Sequence, residues 1–346
     1  MPGFGDIRQF MIGQAFGSTY IPQNADFTGK TIAITGATAG IGLECAKHLA
    51  RLNVHTLILG CRNLERGKTA KNIIINQPKS KILTSIEVWE VDLANFSSVI
   101  SFAKRIQQFP RLDAFISNAG IEPMIFQLAE DIEMTLTVNV VSTMLLNIMV
   151  LPKLRETSTK YASPTTLTTV GSSVHIFGLT ENLLDNLHNK SKDTFDILSD
   201  QNTADLGGPD AAMSPRYALS KTILHALLGR LATKASRKDQ EVIVNWVNPG
   251  WCESEISRHK NAPSLSTKIS IALLRRTAEQ GSRELINAIL IGKESNGCYL
   301  SECSIKPESA FLRSKDGQQF ADQLWRELMS RFEKLSPEPN SILAQQ

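Results

Sequence analysis

The chain has 346 residues, of which 42% are apolar and 21% charged, and a net charge of +3. This is ordinary globular composition, enough for one large domain or two modest ones, and it argues against nucleic acid as a partner because no dense Lys/Arg cluster interleaves with aromatics. Five scattered cysteines (Cys45, Cys61, Cys252, Cys298, Cys303) without a Cys-x-x-Cys pair argue against a disulfide framework or zinc knuckle, and place the chain in a reducing compartment, taken as the cytoplasm.

Residues 1–20 lack a charged region followed by an unbroken apolar block, so no secretory signal is expected. Phe10, Met11, Ile12, Phe16 and Tyr20 recur with helical spacing, and the polar face between them is not basic. That pattern predicts a helix docked on the domain rather than one lying on a membrane, within an N-terminal extension over 1–27. Residues 30–42 then form an apolar β-type run that breaks into Gly36, Gly40 and Gly42, followed by an amphipathic helical pattern over 43–50. Strand, glycine turn and helix are the parts of a phosphate site. Residues without Cβ let backbone N–H groups approach a pyrophosphate, and the helix N-terminus points its partial positive charge at it. A turn that merely tolerates glycine fits the same pattern.

Strand and helix alternate from there. A buried-type strand over 55–60 ends in Cys61-Arg62, and a helix over 64–76 follows. A strand over 85–91 ends at Asp92, a helix covers 96–108, and a strand over 112–117 stops at Asn118-Ala119-Gly120. A long helix is expected over 128–155; its most apolar part, 138–151, is interrupted by Asn139, Ser142, Thr143 and Asn147 and is too short and polar to span a bilayer. A strand over 165–170 leads into Gly171-Ser172-Ser173, periodicity fades over 174–216, and a helix covers 217–234. A strand over 241–247 breaks at Asn248-Pro249-Gly250, and a helix over 277–291, a short strand over 297–301 and an amphipathic helix over 318–335 complete the chain. The expected fold is α/β: a doubly wound parallel sheet of about seven strands in one domain over 28–302, with a C-terminal extension over 303–346.

In a dinucleotide-binding sheet the end of the second strand faces the adenosine ribose. Arg62 stands there with no carboxylate beside it, which favours the 2′-phosphate of NADP(H) over NAD(H). Asp92 ends the third strand, where it can hold the adenine amino group. Tyr217 and Lys221 are spaced i, i+4, so on a helix the ammonium lies one turn along the same face and can lower the phenol's pKa. Ser172 follows a strand end, where its hydroxyl can hold a substrate oxygen beside that phenol.

Together, Thr35-Gly36-x-x-x-Gly40-x-Gly42, Asn118-Ala119-Gly120, Asn139, Ser172, Tyr217-x-x-x-Lys221 and Pro249-Gly250-x-x-x-Ser254 resemble, in order, the motifs of the short-chain dehydrogenase/reductases, whose fold is a single-domain Rossmann sheet. The resemblance covers about 27–301. Leu59-Gly60-Cys61-Arg62-Asn63 is similar to retinol-dehydrogenase-like enzymes, and the two extensions resemble fungal secondary-metabolism reductases. It implies that Tyr217 is general acid in carbonyl reduction and general base in alcohol oxidation. Lys221 would lower its pKa and hold the nicotinamide ribose, Ser172 rather than Ser173 would polarise the carbonyl, and Asn139 would anchor a water in a proton relay. It further implies cofactor contacts from Gly36, Thr38, Gly40, Ile41, Gly42, Arg62, Asp92, Asn118, Ala119, Gly120, Pro249 and Gly250, with Ser254 replacing the family's usual threonine.

Ser172 and Tyr217 are 45 positions apart, longer than the family needs. The excess, 176–215, is a candidate substrate lid in which Leu179, Leu183, Leu184, Leu187, Phe195, Ile197 and Leu198 either line an apolar pocket or bury one another. Trp251 is expected in the pocket wall and His175 near Ser172 as a supporting or substrate-contact residue. No histidine lies in a His-Glu-x-x-His or similar pattern, so no metal is expected. The expected function is NADP(H)-dependent reduction of a ketone or aldehyde on a mainly apolar small molecule, or the reverse oxidation. Alternatives on the same scaffold are an isomerase, dehydratase or cyclisation catalyst without net redox turnover, and a non-enzymatic NADP-binding protein. A homo-oligomer through the helices carrying Asn139 and Tyr217 is compatible with the resemblance, unless the insertion blocks it.

Overall fold

The computed structural model describes residues 2–77, 84–188, 192–203, 206, 214–252 and 275–344. Its centre is β1 (Thr31–Thr35), every residue of which is buried. Parallel neighbours flank it on both sides, β2 (Thr56–Cys61) and β4 (Ala114–Ser117). Beyond β2 lies β3 (Ser85–Glu90); beyond β4 follow β5 (Thr165–Val170), β6 (Val242–Asn248) and β7 (Cys298–Ser301), all parallel. The eighth strand is one more than the sequence pattern indicates: β8 (Ser304–Lys306) turns back antiparallel on the edge of β7. Three residues are too few to show a period, so it reads as a loop.

Alternate side chains of each strand enter different cores, as the period of two requires. Ile32, Ile34, Leu57, Leu59 and Ile116 face one layer with α2 (Gly40–Arg51) and α9 (Ala278–Leu290). Ala33, Ile58, Phe115, Leu167 and Val244 face the other, with α4 (Phe96–Gln107), α5 (Thr143–Tyr161) and α8 (Ser214–Ala235). The layers cover both faces of the sheet, which is why β1, β2, β4, β5 and β6 are buried at every position, while the edge strand β3 leaves Ser85 and Glu90 exposed.

The expected long helix begins later than 128. Residues 128–133 form a small antiparallel hairpin, and the helical run starts at Met134 and passes through a π-helical stretch, Thr137–Ser142, before α5. The run Met134–Tyr161 is long and apolar enough to cross a membrane by length and composition, but 94% of its most apolar window is buried, as in a core helix. The insertion's leucines also go to the core: Leu183, Leu187, Phe195 and Leu198 are buried together with Phe320, Leu324, Leu328 and Phe332 of α10 (Lys315–Leu335). Arg331 pairs with Asp193 and Asp196 across the same contact. Arg216, one residue before Tyr217, ties the segment down by donating to the carbonyls of Leu198 and Asp200.

Candidate active site

The strand order runs outward from β1 in opposite directions, so the carboxyl ends of β1 and β4 open a crevice, the position at which doubly wound sheets bind ligands. Along it lies a cavity of about 910 Å3, lined at one end by Gly36, Thr38, Gly40, Ile41 and Gly42, and at the other by Ser172, Tyr217 and Lys221.

The glycine turn fits a pyrophosphate on structural grounds. Gly36 has φ of +69° and Gly40 of +55°, a region that L side chains avoid. A Cβ on Gly42 would lie 2.4 Å from the carbonyl oxygen of Gly36. The N-cap of α2, Ala39, offers no side-chain acceptor, so the first N–H groups of the helix face the cavity without a cap. Asn118 closes the turn from β4: its Nδ2 donates to the carbonyls of Thr35 and Gly36 at 2.9 and 3.2 Å, while Thr35 Oγ1 accepts from the N–H groups of Asn118 and Ala119.

At the other end, the Tyr217 phenol and the Ser172 side chain stand beside each other in the cavity wall. Burial pushes the phenol's pKa well up, nearby Glu122 adds to the rise, and the neighbouring Ser172 side chain opposes it. Lys221 is buried and its ammonium is brought down to about 8 by desolvation. Its Nζ donates to the Val170 carbonyl at 2.8 Å and sits 5.7 Å from the centre of the Tyr217 ring. The rise in the phenol's pKa is opposite to the lowering expected from Lys221, whose ammonium is turned to the Val170 carbonyl. Asn139 lies in the π-helical stretch, where its side chain bonds the N–H and carbonyl of Ile121 and donates to Ser220 Oγ. A Cβ on Gly120 would be 3.2 Å from Asn139 Oδ1 and 3.9 Å from Lys221 Nζ, so this glycine leaves room between the two.

Asn118, Ala119, Gly120, Pro249 and Gly250 line the same cavity. Arg62 and Asp92 do not. Arg62 is exposed at the end of β2, and the cavity is lined instead by Arg66, one helical turn further on in α3 (Leu64–Ile75). Asp92 Oδ1 accepts from the Ala94 N–H at 2.9 Å, a turn contact. Ser254 lies outside the described residues. Trp251 lines the cavity as expected, and from the insertion Phe177, Thr180 and Pro215 do so. Among the cavity residues that the sequence reading missed are Glu122 and Arg66, and it gave Phe10 of α1 (Phe4–Phe16) only a docking role. Phe10 lines the cavity and meets Phe177 edge-on at 5.7 Å. The spacing of Arg66 from Arg62 was the available signal for the first arginine's neighbour; Glu122 had none.

The family profile described as short chain dehydrogenase matches residues 30–162. Over nearly its whole length the chain resembles curated fungal proteins. It is 36% identical to the short chain dehydrogenase/reductase dmxR8 of Cryptosporiopsis sp., covering 95% of this chain and 98% of that one. It is also 36% identical to the short-chain dehydrogenase anuD of Penicillium roqueforti, over 95% and 84% respectively. Among solved structures, a protein of Mycobacterium paratuberculosis superposes with a TM-score of 0.62 at 21% identity, covering 91% of this chain and 98% of that one, a likeness of fold. The chain belongs to the short-chain dehydrogenase/reductases, an oxidoreductase family that binds a nicotinamide dinucleotide.

Proposed function

We propose that this protein is an NADP(H)-dependent reductase of a ketone or aldehyde on a mainly apolar small molecule of fungal secondary metabolism, able to run the reverse oxidation. The observation that carries the proposal is that Ser172, Tyr217 and Lys221 line the same cavity as the glycine turn. A bound nicotinamide dinucleotide supplies or accepts the hydride. Tyr217 and Ser172 would hold the substrate oxygen between two hydroxyls, and Tyr217 would deliver the proton as the oxygen gains charge. Lys221 would place a buried cation near that charge, and Asn139 would hold the Gly120–Ile121 turn against it. Preference for NADP(H) is supported by Arg62 after β2, by Arg66 in the first turn of α3 and by the lack of a carboxylate at Cys61-Arg62. The apolar substrate class is supported by Phe10, Phe177, Pro215 and Trp251 in the cavity wall.

Consumption of NADPH with a panel of isatin, menadione, acetophenone and benzaldehyde tests the reading. Tyr217→Phe is expected to cut kcat by about 100-fold or more, the scale of general acid catalysis, with NADPH binding retained. Full activity in that variant would remove the role given to Tyr217. Product formation with no net change in NADPH absorbance would move the protein to the isomerase or dehydratase class.

A further inference from the structure

Two buried histidines and a half-buried glutamate that the proposed chemistry does not use meet behind Ser172. His175 comes from the turn after β5, His225 from α8 one turn beyond Lys221, and Glu308 from the segment that follows β8; their side-chain ligand atoms lie within 4.8 Å of one another. The two imidazole rings stack, with centroids 4.2 Å apart and planes 27° apart. A metal ion sits in the plane of each imidazole that binds it, and two rings stacked face to face at this separation do not bring both planes to one ion at bonding distance. The arrangement suits a carboxylate shared by N–H donors, and Trp246 Nε1 donates to the same Glu308 Oε1.

The protons can be placed by elimination. The Ser172 N–H points at His225 Nε2 at 3.3 Å, so that nitrogen accepts. The His225 proton is then on Nδ1, 3.1 Å from Glu308 Oε1. His175 Nδ1 is 2.8 Å from the Ser172 carbonyl oxygen, which can only accept, so Nδ1 carries a proton. His175 Nε2 lies 3.0 Å from Glu308 Oε2, an ion-pair distance off the line of a regular hydrogen bond. Both main-chain polar groups of Ser172 thus end on the histidine pair. Gly171 is what permits the approach, since a Cβ there would be 2.2 Å from His225 Nε2. Desolvation drives the His225 imidazole down to about 4, in keeping with its neutral tautomer. Burial by itself would raise the Glu308 carboxyl, but the two imidazoles hold it below the usual carboxylate range.

We propose that His175, His225 and Glu308 are positioning residues that clamp the Ser172 peptide and thereby aim its hydroxyl at Tyr217 and the substrate oxygen. The C-terminal segment then completes the active site by contributing a carboxylate, although it lies beyond the last parallel strand. The proposal rests on the reading that Ser172 holds the substrate oxygen.

The test combines His225→Leu, His225→Gln, Glu308→Ala and Glu308→Gln, each alone and on Ser172→Ala. Kinetics use the best carbonyl of the panel, and hydrogen exchange of the peptide spanning Ser172 is followed in the cofactor-free protein. His225→Leu and Glu308→Ala are expected to lower kcat by about 10- to 100-fold, the scale of an ångström of misplacement, and to speed exchange at Ser172. NADPH affinity should stay unchanged. His225→Gln restores an acceptor near the old Nε2 position, and Glu308→Gln still offers an oxygen to His225 and Trp246, so both should recover most of the activity. On Ser172→Ala the truncations should cost nothing more, because they act through that residue. Wild-type kcat in both truncations, or losses that add to that of Ser172→Ala, would overturn the clamp. Should the truncations not fold, Glu308→Gln decides: retention of kcat within about threefold is expected for a hydrogen-bonded clamp, and a larger loss overturns it. If Ser172→Ala alone keeps full activity, the reading of Ser172 fails and the clamp falls with it.

Discussion

Arg276 Nη2 donates to the carbonyl oxygen of Gly13 at 2.9 Å, joining the loop before α9 to the N-terminal helix. The same nitrogen reaches the Gly17 carbonyl, and Gln14 Oε1 accepts the Trp251 N–H at 2.8 Å. Helix α1 buries no residue fully, and Phe4 and Phe16 are more than four-fifths exposed. It is held by these polar contacts and by Phe10 against Phe177. Phe10→Ala should therefore leave thermal stability nearly unchanged while enlarging the cavity beside Ser173. The expected result is a KM for the carbonyl raised by about 10-fold, the worth of a lost aromatic contact, with NADPH affinity intact. Steady-state kinetics and a cofactor titration check it; an unchanged KM would remove Phe10 from the substrate wall.

The glycines of the turn do different work. A Cβ on Gly42 meets the Gly36 carbonyl oxygen at 2.4 Å and Asn118 Nδ2 at 2.5 Å, whereas one on Gly40 meets nothing within 4 Å. Gly42→Ala must push backbone apart, so it should cost about 1–3 kcal/mol and open the Asn118 contact that shapes the phosphate turn. Gly40→Ala carries the strain of its positive φ, about 1–2 kcal/mol, without a clash inside the turn. Melting temperature and NADPH affinity should both fall further in Gly42→Ala than in Gly40→Ala, and the reverse order would show that the turn is shaped by φ rather than by the close approach.

Much of this site could be read in the chain because its parts are local. The run Thr31–Thr35 into Gly36 has a strand period and a turn chemistry that few other structures satisfy, and Tyr217 and Lys221 share a helix face by spacing alone. What escaped notice depends on long-range packing. Glu308 is an unremarkable acid until β8 folds back on β7 and carries it to His175 and His225, which stand 50 residues apart in sequence. The leucines of the insertion have the same apolar character whether they line a pocket or a core; only α10, more than a hundred residues later, decides that they are core. Arg62 and Arg66 differ by one helical turn, and which of them meets the cavity depends on how α3 leaves the strand.

Lys221 gives the protein a pH dependence of known sign. Burial lowers its pKa from 10.5 to about 8. Below pH 8 folding buries a charge that the unfolded chain keeps in water, so the full penalty applies. Between about 8 and 10.5 the unfolded chain still binds the proton that the native state has released, so stability rises with pH. The shift corresponds to about 3 kcal/mol. Urea unfolding of the wild type and Lys221→Met at pH 7 and pH 10 isolates this part, since other titrating groups are common to both. The wild type should gain about 2–3 kcal/mol relative to the variant over that interval. Parallel changes in the two proteins would mean that Lys221 is not desolvated in the folded state.

Cofactor choice turns on the two arginines after β2. Both arginines are exposed, but Arg66 lines the cavity and Arg62, at the strand end, lies outside the lining. A guanidinium on the 2′-phosphate makes charge-assisted hydrogen bonds worth about 1.5–3 kcal/mol each, so its loss should weaken NADPH by about 10- to 100-fold. NADH carries a hydroxyl at that position and should lose little. Arg66→Ala is accordingly expected to reduce the ratio of NADPH to NADH affinity more than Arg62→Ala, and the double variant to bring the two cofactors close to equal. Salt separates a specific contact from a general attraction: the Arg66 effect should persist at high ionic strength if the phosphate is held directly, and the effect of Arg62, acting only from outside the cavity, should fade. Titrations of both cofactors against each variant at low and high salt check this. A wild-type preference for NADH, or NADPH affinity that survives in the double variant, would overturn the assignment of NADP(H).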